Sequence, residues 1–431
     1  MSATHTLYVC YFGLREPLVQ TQVLPYLRQL AAAGIGVSLL TFEPRLNESW
    51  TTNELDATRQ ALEIEGIGWH YLKYHKRPSL PATLYDIALG TRTIVGIMRR
   101  SGVGILHARN HVPALMCAIA KKLRPAQLIF DIRGFMPEEY TDAGVWPANG
   151  YLYRGLKLVE RYLFKVADAF VVLTEKARDI LFPGCSETDK LGRPIAVIPC
   201  CVDFARFDAA ESVPRASLRK ELDVAGRRVI VYVGSFGGWY MTDEMTDLMA
   251  LGHELDPSTF SMILTQSPPQ AVVERMNQLG VDSKDIFVGK VKPEEVPSYL
   301  RAADIAVSFI RPCYSKQSSS PTKIAEYLAS GLPVICNAGV GDLDKLMGDK
   351  RVGVLLQEFN KEAFQQALKD IDSLRSDESS ADYRRALARK QFDLETVGRA
   401  GYVGIYERIM NHDSSPLVEL KAPRTMVSDG N

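Results

Sequence analysis

The sequence predicts an α/β protein built as two sheet-bearing halves, and three observations carry that prediction. The apolar run Leu7–Phe12 is followed by a helix-period stretch, Val23–Ala33, with Leu24, Leu27 and Leu30 on one side and Gly34 at its end, and then by a second apolar run, Val37–Phe42. This is a β-α-β unit, whose right-handed crossover makes its sheet parallel. The same alternation restarts at Val229–Gly234, far into the chain. Finally, Ser318–Asp342, SSSPTKIAEYLASGLPVICNAGVGD, reads as a loop, a short helix, a glycine stop and a strand buried on both faces.

Composition narrows the function classes. The 431 residues suit two large domains or three smaller ones, and 46% hydrophobic content supplies large cores. The 51 basic and 51 acidic residues cancel, which argues against a nucleic-acid protein. Seven cysteines, at positions 10, 117, 185, 200, 201, 313 and 336, follow no zinc spacing, and their odd number argues against a disulfide framework. The N-terminus has no signal-peptide pattern and no apolar run nears the ~18 residues of a membrane span, so a cytoplasmic place is expected.

Along the first half, Gly13 ends the first strand and opens the loop LREPLVQTQ, which holds Gln20. No G-x-G-x-x-G follows that strand, although Gly13 suits a point where a ligand approaches backbone. Tyr71–Asp86 mixes basic and aromatic residues around two prolines and reads as an exposed loop. Its Lys73, His75, Lys76 and Arg77 are suited to anionic lipid or a pyrophosphate-bearing acceptor, and equally to plain solvation. After the helix Leu84–Arg100, the strand Ile105–Ala108 runs into His107-Ala-Arg109-Asn-His111, and Leu128–Ile132 runs into Asp131-Ile-Arg133-Gly134. Polar residues at the mouths of successive strands point into one cleft, with Glu138 and Glu139 close by. A structural pairing of Asp131 with Arg133, and a structural histidine, are the plain alternatives. Leu152–Ala167 is an amphipathic helix whose apolar face is most simply core; Arg154, Lys157, Arg161 and Lys165 also admit a membrane-surface role. The strands Ala169–Leu173 and Ile195–Pro199 complete this half, and Cys200–Phe207 reads as a linker.

In the second half, the strand Val229–Gly234 feeds a glycine loop, Ser235-Phe-Gly237-Gly238. A helix over Asp243–Glu254 and short strands at Phe260–Thr265, Ile286–Val288 and Ile305–Phe309 follow, with Lys290 and Val291 in the turn after the second of these. Ser320 is a good N-cap, and Pro321 suits the first helical position. A lysine in the first turn, Lys323, opposes the helix dipole unless a phosphate lies there. Glu326 is three residues on, placed to accept hydrogen bonds from ribose hydroxyls. An ordinary cap with a surface ion pair is the plainer alternative, but the glycine loop Gly339–Asp342 after a buried strand sits where open α/β sheets bind ligands. The helix Leu394–Met410 closes the fold, and 413–431 reads as a disordered tail.

With these residues in view, the chain resembles the family 4 glycosyltransferases of the GT-B type. REPLVQTQVLPYLRQLAAAG, DIRG, ADAFVVLTEKARDIL, IPCCVD, YVGSFGGW and SPTKIAEYLASGLPVICNAGVGD carry the resemblance, in that order, nearly to residue 410. It implies an α/β GT-B fold: two Rossmann-like domains with parallel sheets facing a cleft, and a C-terminal helix crossing back. The expected boundaries are 1–205 for the acceptor side, 206–393 for the nucleotide-sugar side and 394–412 for the crossover helix. It also implies transfer of a sugar from a nucleotide diphosphate, with retention of configuration and without metal or cofactor, to a glycan or lipid-linked acceptor in cell-surface polysaccharide synthesis. The expected place is cytoplasmic, with peripheral association at the inner face of the membrane as its variant.

The donor-side residues expected are Gly234, Ser235, Gly237 and Gly238 of the glycine loop, Lys290 and Val291 after the third strand, and Ser318, Ser320, Thr322, Lys323 and Glu326 around the motif helix. On the acceptor side the expectation is Gly13, Gln20, Arg109, Arg133 and Glu138. Lys323 would hold charge developing on the leaving diphosphate, and Asp131 and His111 are the acceptor-side candidates for proton chemistry. The chain departs from the family in two places. Where many members carry the first glutamate of a Glu-(seven residues)-Glu pair it has Ser318, and no basic residue follows the glycine loop in GGWYMTDEM. An epimerase-type enzyme on the same fold and a non-catalytic partner subunit are the competing functions.

Overall fold

The computed structural model describes residues 5–77, 79–375 and 378–412; the expected tail lies outside them. Its first sheet has seven strands: β1 His5–Cys10, β2 Gly36–Glu43, β3 Ile67–Lys73, β4 Ile105–Arg109, β5 Gln127–Ile132, β6 Ala169–Val172 and β7 Ile195–Val197. The second has six: β8 Arg228–Val233, β9 Thr259–Leu264, β10 Ile286–Gly289, β11 Ile305–Ser308, β12 Val334–Asn337 and β13 Gly353–Leu356. The spatial orders are β3-β2-β1-β4-β5-β6-β7 and β10-β9-β8-β11-β12-β13, and the paired neighbours run parallel. Each sheet reverses direction of growth beside its first strand, between β1 and β4 and between β8 and β11. That switch point is where loops at the carboxyl ends of strands diverge and leave a crevice.

The strands are continuous apolar runs because helices cover both faces. Val9, Phe42, Phe130 and Phe170 are fully buried under helices on one face of the first sheet. On its other face Tyr8, Leu27 and Leu39 pack with Tyr402, Ile405, Tyr406 and Ile409 of the helix Ala400–His412. The C-terminal helix therefore belongs to the N-terminal core. The Tyr406 hydroxyl lies 2.9 Å from both Thr6 Oγ1 and His107 Nδ1. The chain crosses between the sheets twice, and the two crossings are bonded together: Val202 N–H donates to the Phe392 carbonyl at 2.8 Å and Leu394 N–H to the Val202 carbonyl at 3.0 Å.

Several elements differ from the sequence expectation. β3 occupies the start of the stretch read as a loop, because its residues alternate between buried and half-exposed rather than forming an apolar run. The following helix begins at Ser79 rather than Leu84. Ser320 does not cap the motif helix Thr322–Ala329: Pro321 is its N-cap, with no side-chain capping bond, and the Ser320 hydroxyl accepts from Cys200 N–H at 3.1 Å. The start of that helix is thus left without a side-chain cap.

Candidate active site

The site is built where β8 and β12 meet the motif helix. After β8, Gly234, Gly237 and Gly238 all take positive φ (147°, 69° and 61°), which bends the loop across the end of the sheet. Tyr232 OH donates to the Ser235 carbonyl at 2.7 Å, and Gly237 N–H to Thr242 Oγ1 at 3.0 Å, fixing the loop. A Cβ at Gly234 would stand 2.5 Å from Lys323 Nζ, so the glycine is what lets the lysine reach the loop backbone.

Lys323 is 7% exposed, and its Nζ has no hydrogen-bond acceptor among the described residues. It is held between two aromatic faces, 4.2 Å from the Tyr232 ring centre and 4.1 Å from that of Tyr240. Burial lowers its pKa to about 7, against the smaller opposing pull of Glu326. Glu326, half-buried on the next turn, is raised to about 7 by desolvation, with Arg206 and Lys323 opposing. A buried ammonium that lacks an acceptor is costly unless an anion arrives. The uncapped helix start and the glycine loop present N–H groups to the same place.

Beside this lies the cleft between the two sheets, a cavity of about 310 Å³ lined by Arg109, Asn110 and Arg133 from the first half and by Trp239, Tyr240, Lys316 and Thr322 from the second. Arg109 and Arg133, expected on the acceptor side, do line it. Lys316 was not anticipated. Its Nζ lies 4.0 Å from the Trp239 ring centre and 3.0 Å from Glu139 Oε1 of the first half. It lies two residues before Ser318, upstream of the motif that signals the phosphate site in sequence. Trp239 and Tyr240 carry no charge, so nothing in the stretch after the glycine loop signals that their aromatic faces seat Lys316 and Lys323.

Other expected residues are placed elsewhere. Asp131 is fully buried, accepting from Tyr402 OH at 3.1 Å and Tyr8 OH at 3.3 Å, with Arg133 at 3.6 Å and Arg109 at 3.9 Å. Burial alone would raise its pKa, but Arg133, the His107 hydrogen bond and Arg109 outweigh it and keep the carboxyl well below the usual range. It ties the crossover helix to the first domain and is not presented to the cleft. His111 is 1% exposed, with Nδ1 2.8 Å from Asn110 Oδ1 and Nε2 3.3 Å from Glu160 Oε1. Both proton-transfer expectations are corrected on that ground. Gly13 is needed by the chain itself, since a Cβ there would stand 2.6 Å from Pro44 Cδ. Gln20 folds back to donate to the Leu14 carbonyl at 2.7 Å, and Glu138 accepts from Tyr153 OH at 3.1 Å. Ser318 is buried at the joint, accepting from Phe135 N–H at 3.2 Å and donating to the Ser315 carbonyl at 2.7 Å, so it does not face Lys323. Lys290 is exposed just beyond β10, two strands from the glycine loop, with Val291 half-buried beside it.

Two Asp-x-Asp triplets occur, Asp342-Leu-Asp344 and Asp370-Ile-Asp372, and neither faces the cavity. Asp342 accepts from Glu175 N–H at 2.8 Å and Lys176 N–H at 3.1 Å, holding a helix start of the first domain. Asp372 pairs with Arg228 at 3.0 Å.

Comparison with known proteins agrees with this architecture. Residues 19–182 match the model of a glycosyl transferase 4-like domain and 227–372 that of glycosyl transferases group 1. The chain is 27% identical over 208 residues to D-inositol 3-phosphate glycosyltransferase of Nocardia farcinica, covering 46% of this chain and 43% of that protein. It is 25% identical over 225 residues to alpha-monoglucosyldiacylglycerol synthase of Streptococcus pneumoniae, covering 50% and 48%. The chain thus spans less than half the length of these curated relatives. Among solved structures, Anabaena HepE in complex with UDP and glucose superposes with a TM-score of 0.65 at 15% identity, over 95% of this chain and 99% of that one, which speaks to the fold. The two domain matches together span more than half of the sequence, and the protein belongs to the family 4 glycosyltransferases of the GT-B type.

Proposed function

We propose that the protein transfers a sugar from a nucleoside diphosphate donor, with retention of configuration, to a glycan or lipid-linked acceptor in cell-surface polysaccharide synthesis. The observation that carries the donor side is Lys323, a buried ammonium with no acceptor of its own, aimed at a glycine loop and an uncapped helix start. A diphosphate bound there receives that charge and the backbone N–H groups together. As the sugar–phosphate bond breaks, negative charge grows on the leaving phosphate, and a preorganised cation held in a dry site stabilises it without reorganising. Glu326 accepts hydrogen bonds from the ribose hydroxyls. Lys316 stands in for the basic residues missing after the glycine loop. Arg109 and Arg133 give the acceptor side of the cleft a positive wall, which suits an acceptor bearing phosphate. Two relatives' names support parts of this: one structural neighbour was solved with UDP, and one curated relative is named for a diacylglycerol product.

Among the described residues no helix is long and apolar enough to cross a membrane, and we place the activity in the cytoplasm. The experiment is a thermal-shift screen against UDP, GDP and their sugar conjugates without added metal. A ligand that binds only the folded state raises the apparent melting temperature by mass action. A shift with one diphosphate names the base. No shift with any of them counts against the donor assignment.

A further inference from the structure

Arg109 ends β4 and Arg133 follows β5, so both reach the cleft at the carboxyl edge of the first sheet. Their side chains are only 3% and 6% exposed. They share one carboxylate, Asp131, at 3.9 and 3.6 Å. Their other contacts are long and bring no carboxylate. Arg109 Nη1 donates to Tyr8 OH and to the Gln22 carbonyl, both at 3.3 Å. Arg133 donates from Nη1 to Tyr402 OH at 3.4 Å and from Nη2 to Cys200 Sγ at 3.6 Å. Arg133 Nε has no acceptor among the described residues.

The charges of this cluster do not cancel. His107 lies 3.5 Å from Asp131 and stays neutral, because burial lowers its pKa. Burial raises the pKa of Tyr8, Tyr26 and Tyr402, which keeps the phenols protonated. Two guanidinium groups thus face one carboxylate. One positive charge is left over in a buried place, which is costly until an anion joins it. The seat for that anion has a shape. Nε and Nη2 form the side-on edge of the Arg133 guanidinium; the first holds nothing and the second only a sulfur. Such an edge matches the paired oxygens of a carboxylate or a phosphate.

The cleft cavity of about 310 Å³ joins this wall to the donor side. Its lining carries the cations Arg109, Arg133 and Lys316 and, among the described residues, no carboxylate. It also includes Thr322, the first residue of the motif helix, and Tyr240, whose ring centre is 4.1 Å from Lys323 Nζ. A sugar joined to a diphosphate at Lys323 enters this cavity, which is at the small end for a ligand site and suits one sugar. The charged groups that meet the sugar are all hydrogen-bond donors, whereas the hydroxyls of a neutral hexose need acceptors as well. We propose that the transferred sugar is a glycuronate, its carboxylate seated on Arg133 and backed by the charge of Arg109. The proposal rests on the transferase reading, since it takes the diphosphate to lie at Lys323. An acceptor's phosphate offers the same oxyanion chemistry from the other substrate, and the experiment separates the two sources.

The test is titration calorimetry of the full chain with matched donors that differ only in a carboxylate in place of the hydroxymethyl group. The pairs are UDP-glucose with UDP-glucuronate, UDP-galactose with UDP-galacturonate, and GDP-mannose with GDP-mannuronate, with UDP and GDP alone as references. In at least one pair the uronate is expected to bind about ten-fold or more tightly than its neutral partner. Arg133→Gln is expected to remove that gain while the free diphosphate still binds. Should Arg133→Gln fail to fold, the comparison within the wild-type pairs decides alone. Equal binding within every pair overturns the proposal and leaves the diphosphate site standing, as does a gain that survives in a folded Arg133→Gln. If the anion comes from the acceptor, the pairs bind alike and Arg133→Gln lowers turnover at unchanged donor affinity, which also overturns it. No binding by any donor or by UDP and GDP is a different failure: it refutes the donor site at Lys323, and this proposal falls with it.

Discussion

Lys316 Nζ lies 3.0 Å from Glu139 Oε1, joining the turn before the motif helix to the helix Met136–Asp142 of the other domain. The lysine is 8% exposed and the glutamate 32%, so the pair is neither a free surface bridge nor a sealed one. Such a pair contributes on the order of 1 kcal/mol to the closed arrangement. Glu139→Gln keeps the shape and removes the charge, and is expected to lower kcat/KM by about three- to ten-fold. Lys316→Met removes the cation over Trp239 as well and is expected to cost more than Glu139→Gln. Steady-state kinetics of both, with small-angle scattering for the separation of the domains, checks this. Full activity in both variants would remove Lys316 from the site.

The pKa values of Lys323 and Glu326 make donor binding depend on pH in both directions. Both are placed at about 7, the lysine lowered by burial and the glutamate raised by it. The diphosphate needs the ammonium, which is lost as pH rises through about 7, and the ribose needs the carboxylate, which is lost as pH falls through about 7. Affinity for a nucleotide-diphosphate sugar is therefore expected to peak near neutrality, with limbs that belong to the pair together. Isothermal titration across about pH 5.5 to 8.5 reads it. Lys323→Met is expected to flatten the alkaline limb and Glu326→Gln the acid one; a flat profile in the wild type refutes the pairing.

The same lysine sets stability against activity. Its folded-state pKa of about 7 lies below the 10.5 of a free lysine side chain, so the unfolded chain binds more protons between those values and stability rises with pH across that window. The penalty of holding the ammonium buried is fully present at and below pH 7 and fades towards 10.5. Lys323→Met is thus expected to raise the melting temperature of the ligand-free protein, most at neutral and acid pH, while transfer falls by about 10² to 10³. A variant that loses stability and activity together at pH 7 would mark Lys323 as a structural residue.

The fold was legible in its strongest elements and dim in the rest. The core strands β1, β2, β5, β8 and β12 are apolar runs because helices cover both faces, and that pattern survives in sequence. β3 is an edge strand with a half-exposed face, and its last residues, Tyr71–Lys73, run into basic and aromatic neighbours and read as loop. In the site, Lys323 and Glu326 were legible from a charge placed against the helix dipole. Lys316 was not, since its role depends on Trp239, brought to it by the fold of its own domain, and on Glu139 of the other domain, both distant in sequence. Asp131 misled for the opposite reason. A carboxylate at a strand mouth looks the same in sequence whether it faces the cleft or faces the helix Ala400–His412 beneath it.

That ambiguity gives the last prediction. Asp131 is surrounded by Tyr8, Tyr402, His107, Arg109 and Arg133, all from the first domain or from the crossover helix. Asp131→Asn keeps the volume and removes the charge that balances two buried guanidinium groups. Breaking a buried ionic network from one side costs about 3–5 kcal/mol. The loss is expected to appear as a lower melting temperature at neutral pH, with the donor thermal shift kept, because Lys323 and the glycine loop lie in the other domain. A proton-transferring carboxylate behaves differently: its removal leaves stability near wild type and abolishes turnover. Tyr402→Phe separates the two cases, since it removes one hydrogen bond to Asp131 from the crossover helix and touches no acceptor. If Asp131 anchors that helix, Tyr402→Phe lowers stability by about 1 kcal/mol in the same direction. If Asp131 acts on the acceptor, Tyr402→Phe shifts the pH profile of turnover and leaves the melting temperature in place.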